Sequence, residues 1–179
     1  NYLLMKNIYK IIILFFLFTF IFEKNVLAND VYFIDYSKVM NESTAGKKAQ
    51  KTLKDLLTSS NKKFNDTAKK LKEEENKIIS QKNVLTKEDY RKKADALRKK
   101  VFELNKQREK SLKDIAGKRK KAGDEMLKNL NPILGKYMEE NNITLVIDKK
   151  NVLMGNKKFE ITSQIIEILN KNLKSINLN

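Results

Sequence analysis

Apolar residues along the chain fall into three kinds of spacing, each of which predicts a different element. Ile11 to Phe22 is a continuous apolar run interrupted by Thr19. Val31-Tyr32-Phe33-Ile34 is short, β-branched and aromatic, which predicts a strand, with a short helical turn following from Ser37. From residue 43 the pattern becomes helical. Leu57, Phe64, Leu71, Ile78 and Leu85 recur every seven residues, flanked by Leu53 and Ala68. Ser60, Asn61, Glu74 and Glu75 occupy neighbouring seam positions, so the stripe is thin.

A second helix is predicted from Thr86, because Thr86-Lys87-Glu88-Asp89 fits a capping box that satisfies free backbone N–H groups. Asn83 to Leu85 is then a turn. Tyr90, Ala94, Leu97, Val101 and Leu104 follow at alternating spacings of four and three, a seam suited to packing on a partner helix. The seam weakens at Arg108 and Ser111, recovers at Ile115, and runs through Ala122, Met126, Leu130, Ile133, Leu134 and Tyr137. Pro132 lies inside it and predicts a kink rather than a stop. Asn141-Asn142 ends the helix. Ile143 to Ile147 reads as a strand, and Val152-Leu153-Met154 as its antiparallel neighbour across a turn at Asp148 to Asn151. A final amphipathic helix, capped by Thr162 or Ser163, presents Ile165, Ile166, Ile168, Leu169, Leu173 and Ile176.

The predicted fold is therefore mainly α with a small β part: a long antiparallel helical hairpin, coiled-coil-like, on a small strand-built association body. The body comprises residues 29–42 and 141–179, and the arm residues 43–140 with its turn near 82–86. Residues 43–81 alone would span about 58 Å as helix, far more than a compact domain of this size. Three short strands and one or two helices make a marginal core with open edges. Association between copies would repair both faults. Val31, Phe33, Ile34, Ile143, Leu145, Ile147, Val152, Leu153 and Met154 are thus expected to build an inter-subunit sheet.

The first apolar run has the flanks of a secretory signal. Lys6 and Lys10 precede it, and Val26-Leu27-Ala28 offers a cleavage site, so residues 1–28 are expected to be removed after Ala28. Its twelve residues rise only about 18 Å as helix and fall short of a hydrocarbon core of roughly 30 Å. Cleavage removes three lysines and one glutamate, taking the formal charge from +16 to +14. Residues 43–140 hold 28 Lys and Arg against 15 Asp and Glu, a net +13, so the arm carries nearly all the charge. Such an excess calls for an acidic partner or a repulsive purpose. The chain has no His and no Cys, which removes the usual zinc ligands, a thiol nucleophile, disulfides and the commonest general base. No cofactor and no enzymatic activity are expected.

Three motifs imitate chemistry. Ala45-Gly46-Lys47-Lys48 has a superficial likeness to a phosphate-binding loop, but Asn41 stands where the upstream glycine is needed and no Ser or Thr follows the lysine. Glu73-Glu74-Glu75 cannot converge on one metal ion, since consecutive helical positions diverge, and pairing with nearby lysines is the expectation. Lys118-Arg119-Lys120-Lys121, with Lys110 and Lys113, is the densest basic run and suits a solvated face or phosphates of anionic lipid or lipopolysaccharide. An export signal and the lack of stacking aromatics beside the run argue against nucleic acid.

In order along the mature chain, VYFIDYSKVMNES, AGKKAQKTL, LTKEDY, NPILGKYMEENNITLVIDKKNVLMG and FEITSQIIEIL together resemble the Skp/OmpH family of periplasmic chaperones. The family's common aspartate before the closing Ile-Thr is Glu160 here. The resemblance implies a jellyfish-like homotrimer with a strand-built body and three helical arms around a cavity. It further implies ATP-independent holding of unfolded outer-membrane β-barrel proteins in the periplasm. Phe102, Leu112, Met126 and Leu127, with Lys113, Lys118, Arg119, Lys120 and Lys121, are the expected client contacts on the arm. An envelope spacer or tether that grips membrane or lipopolysaccharide phosphates is the competing reading.

Overall fold

The computed structural model describes residues 30–178, and the compact unit within it begins at Val31. The expected signal segment and its cleavage site lie outside the described residues. Strand β1 (Val31–Ile34) leads into helix α1 (Tyr36–Glu42), then the long helices α2 (Thr44–Ser80) and α3 (Lys87–Glu140), strand β2 (Leu145–Asp148), two short 3-10 turns, and helix α4 (Thr162–Asn172).

The starts of α1, α2 and α3 are each fixed by a side chain. Asp35 accepts from the Lys38 N–H at 2.8 Å to cap α1. Ser43, fully buried, accepts from the Gly46 N–H at 3.1 Å to cap α2. The hydroxyl half of the predicted box at Thr86 is present: the hydroxyl accepts from the Asp89 N–H at 3.1 Å, while the Asp89 carboxylate accepts from that same hydroxyl at 2.6 Å. Helix α4 departs from expectation. Its N-cap is Ile161, with no side-chain cap, because the Thr162 hydroxyl is committed elsewhere. It accepts from the Asp35 N–H at 2.9 Å and donates to Glu160 at 3.2 Å, tying the start of α4 to the end of β1.

Helices α2 and α3 run antiparallel, as their pairings show. Gln81 meets Lys93, Glu74 meets Lys100, and Ser60 meets Ser111, a steady decrease on one helix against an increase on the other. Leu53, Phe64 and Ile78 on α2 and Leu97 on α3 are the buried seam residues of the arm. Helix α3 continues on both sides of Pro132 and ends in a Schellman turn. Asn142 takes φ 52°, its N–H bonds the Glu139 carbonyl, and the Ile143 N–H reaches the Met138 carbonyl at 2.9 Å.

That turn consumes Ile143, so the second strand starts at Leu145. The strand pairing also differs from the expected hairpin. β2 pairs parallel with β1, Val31 opposite Leu145 and Ile34 opposite Asp148. Between them lies the whole α1–α2–α3 connection, the kind of long crossover a parallel pair requires. Val152-Leu153-Met154 is not a strand. Asp148 accepts from the Lys150 N–H at 3.2 Å and winds Lys149–Asn151 into a 3-10 turn, and no residue there supplies the positive φ of a two-residue hairpin turn. The opposite side of β1 is occupied by Glu160, with the Ile161 N–H donating to the Phe33 carbonyl at 3.0 Å.

The core joins Ile34, Val39, Ile161, Ile165 and Leu169 to Ala45 at the root of α2 and to Met126 and Leu130 on α3. The roots of both arm helices are therefore part of the body's packing. A second cluster lies just outward, where Leu178 from the chain beyond α4 packs on Ala49 and Leu53 of α2 and Ala122 of α3.

Candidate functional surface

Small and polar residues in the α2–α3 seam leave gaps that the helices cannot close. Ser60 and Ser111 share a hydrogen bond of 2.7 Å where apolar side chains would otherwise interlock. Ala68 leaves a groove of about 610 Å³ floored by Leu71, Leu97, Val101 and Phe102, with Lys72 and Arg98 at its rim. On the other face, Thr67, Leu71 and Leu104 floor a groove of about 540 Å³ bordered by Lys99 and Lys100. Nearer the body, Leu56, Phe64 and Ile115 floor one of about 530 Å³ beside Lys63, Lys110 and Lys118. Apolar floors thus recur along the arm, each with two or three basic residues and one acidic residue, Glu75, Glu103 or Asp114, at its border.

The expected client contacts divide. Phe102 is 65% exposed, and Leu112 and Leu127 are also exposed on α3. Met126 is not a surface residue: it is fully buried against Ile34, Leu130 and Ile165, so the client role assigned to it from sequence is corrected to a core role. Met126 and Leu127 were equally apolar in sequence, and the helical face alone separates them. In the basic run, Lys120 pairs with Asp124 at 2.6 Å, while Lys118 donates to the Leu178 carbonyl at 2.6 Å. Lys113, Arg119 and Lys121 have exposed side chains. Glu75 pairs with Lys72 at 2.7 Å, as the sequence suggested, whereas Glu74 reaches across to Lys100 of α3, also at 2.7 Å. Among the described residues no group of three or more acidic side chains is placed to hold a metal ion.

The residues expected to join subunits divide as well. Phe33, Ile34 and Ile143 are buried within their own chain, so their first role is in the body's packing. Ile147 and Val152 are half-buried. Val31 and Leu145, cross-strand neighbours, remain exposed, and Leu153 and Met154 project fully into solvent. Gly155 holds their loop against the body: a Cβ there would lie 2.9 Å from the Phe33 ring. Among the described residues one edge of β2 has no strand beside it, since its sheet partner there is β1 alone. Sequence reasoning missed the grooves and the Lys118 to Leu178 contact. The grooves have a faint signal in the small residues of the seam, but nothing near Lys118 marks a partner sixty positions away.

A charged hairpin with open apolar grooves, rooted in a small α/β body, defines a protein of the helical-arm class. The chain belongs to the outer membrane protein (OmpH-like) family, whose model matches residues 30–169. In fold it is similar to a Caulobacter crescentus CB15 protein described as an OmpH-like outer membrane chaperone. The TM-score is 0.75 at 17% identity, over 82% of this chain and 87% of that one. No curated protein matches the sequence.

Proposed function

We propose that this chain is an ATP-independent holding chaperone of the periplasm that keeps unfolded outer-membrane β-barrel proteins soluble. Membership of the OmpH-like family supports a chaperone role in general. The observation that carries the specific reading is the arm: a net +13 lies on a hairpin whose grooves and exposed Phe102, Leu112 and Leu127 offer apolar contact among lysines. Acidic unfolded chains are drawn in over a Debye length of about 8 Å and then held by dispersed, short-range apolar contacts. Such binding uses no covalent step, which agrees with the absence of His and Cys.

The working unit is a homotrimer joined through the exposed apolar surface of Val31, Leu145, Leu153 and Met154 and the open edge of β2. Mature protein mixed with a urea-unfolded β-barrel on dilution should suppress light scattering without ATP. An envelope tether would leave the aggregation unchanged while binding anionic vesicles. That outcome would replace the holding role with the tether.

A further inference from the structure

Beyond α4 the chain turns back along the arm. The N–H of Leu173 bonds the Leu169 carbonyl to close the helix, Leu173 itself is extended, and the residues after it, in neither helix nor strand, lie against the arm's root. Ile176 and Leu178, two residues apart, both face the same cluster. Such spacing on one face is that of a β-strand. Leu178 is buried in one cluster with Ala49 and Leu53 of α2 and Ala122 of α3, and Lys118 donates to its backbone carbonyl. A backbone-reading lysine above a seat made by two small residues has the features of a peptide-binding site, here filled by the chain's own tail.

We propose that residues 173–178 are a displaceable strap that occupies, as an internal pseudo-client, a seat for extended segments with aliphatic residues at alternate positions. This rests on the holding function above and names the part of a client that it grips: a nascent strand of an unfolded β-barrel, which carries that alternation. One observation supports displacement. The seat opens directly into the groove of about 530 Å³ nearer the body, since Ile115 and Lys118 belong to both, so a longer segment gains contacts that the strap does not make.

The test uses the mature chain and a fluorescein-labelled extended peptide with leucine at alternate positions, followed by anisotropy. Ile176→Ser with Leu178→Ser empties the seat. If the strap closes it in about nine molecules of ten, peptide affinity rises about tenfold. Adding Ala122→Leu fills the seat from α3 itself, where no peptide can displace it, and lowers the affinity below the parent's value. In the other direction, Ser175→Cys provides a unique label site, because the chain has no cysteine. Its anisotropy falls as peptide displaces the strap in an otherwise native chain, so the idea stays testable even if the serine variants lose helix. Unchanged peptide affinity on emptying the seat, or a label that stays immobile at saturating peptide, overturns the strap. A parent that fails to hold unfolded barrels while its strap variant still gains peptide affinity overturns the holding function and leaves the strap standing.

Discussion

Replacing Gly46 by alanine places a methyl group where α1 and α2 meet most closely. An ideal Cβ at this position lies 2.1 Å from the Met40 carbonyl oxygen and 2.8 Å from the Ser43 Oγ. Carbon and carbonyl oxygen rest at about 3.3 Å, so one helix must back away by about an ångström. Retreat is costly here. Val39 and Ser43 are fully buried on the same joint, and the Gly46 N–H is the donor that Ser43 caps. Overpacking of this kind costs about 1–3 kcal/mol, and a weakened cap adds about 1 kcal/mol. Alanine's better helix propensity returns only about 0.5–1 kcal/mol.

The net loss is about 2 kcal/mol, which for a folded unit of about 150 residues lowers Tm by about 4–8 °C. Thermal unfolding followed by circular dichroism at one fixed protein concentration measures it. Gly117→Ala is the internal control: nothing lies within 4 Å of its Cβ and the residue is exposed, so the same exchange should raise Tm by about 1–4 °C. A Gly46→Ala protein as stable as the parent, or a Gly117→Ala protein destabilised as much, would refute the reasoning. The result also settles why the motif around Gly46 has its glycine: a close helix joint requires it.

Leu153→Asp with Met154→Asp should turn an associating protein into a monomer of unchanged helix content, read by sedimentation velocity, because both side chains project into solvent and contribute nothing to their own core. Glu160 is held below the usual carboxylate value of 4.5, first by the Lys149 hydrogen bond at 2.9 Å and further by the Thr162 hydroxyl. A depressed folded-state value means its stabilisation is complete above pH 4.5 and is lost as pH falls through the lowered value. Glu160→Gln should accordingly flatten the acid side of the stability curve measured by urea unfolding between about pH 6 and 3. Phe102→Ser with Leu112→Ser should weaken client capture about fivefold per residue if each buries about 1 kcal/mol of apolar surface, measured by aggregation suppression at matched salt.

The arm was legible because long helices advertise themselves twice, through a repeating apolar face and through capping chemistry such as Thr86 to Asp89. The body was less so. Ile143 to Ile147 has every mark of a strand, but Asn142 accepts a left-handed backbone and draws Ile143 into the helix end. Val152 to Met154 has the same marks, and the Asp148 turn sends the chain elsewhere. Strand pairing depends on partners distant in sequence, so β-propensity could not tell a parallel partner of Val31 from an adjacent hairpin. Among the client residues, an error of one position separated exposed Leu127 from buried Met126. The Lys118 contact was invisible for a different reason: a lysine in a basic run carries no mark of the single carbonyl it bonds.

Charge on the arm has two consequences of opposite sign. Ion pairs along it mostly join residues three or four apart on one helix, such as Lys51 with Asp55 and Lys120 with Asp124, while Lys100 to Glu74 bridges the two helices. Attraction between α2 and α3 therefore comes chiefly from the apolar seam, and the excess of lysines works against it. Salt screens that repulsion, and it equally screens the attraction of an acidic client. Raising ionic strength to about 0.5 M should thus tighten the hairpin and weaken capture together. Loss of holding at high salt in a protein whose Tm has risen cannot be ascribed to unfolding, and so isolates the electrostatic encounter as a separate step from the apolar grip that follows it.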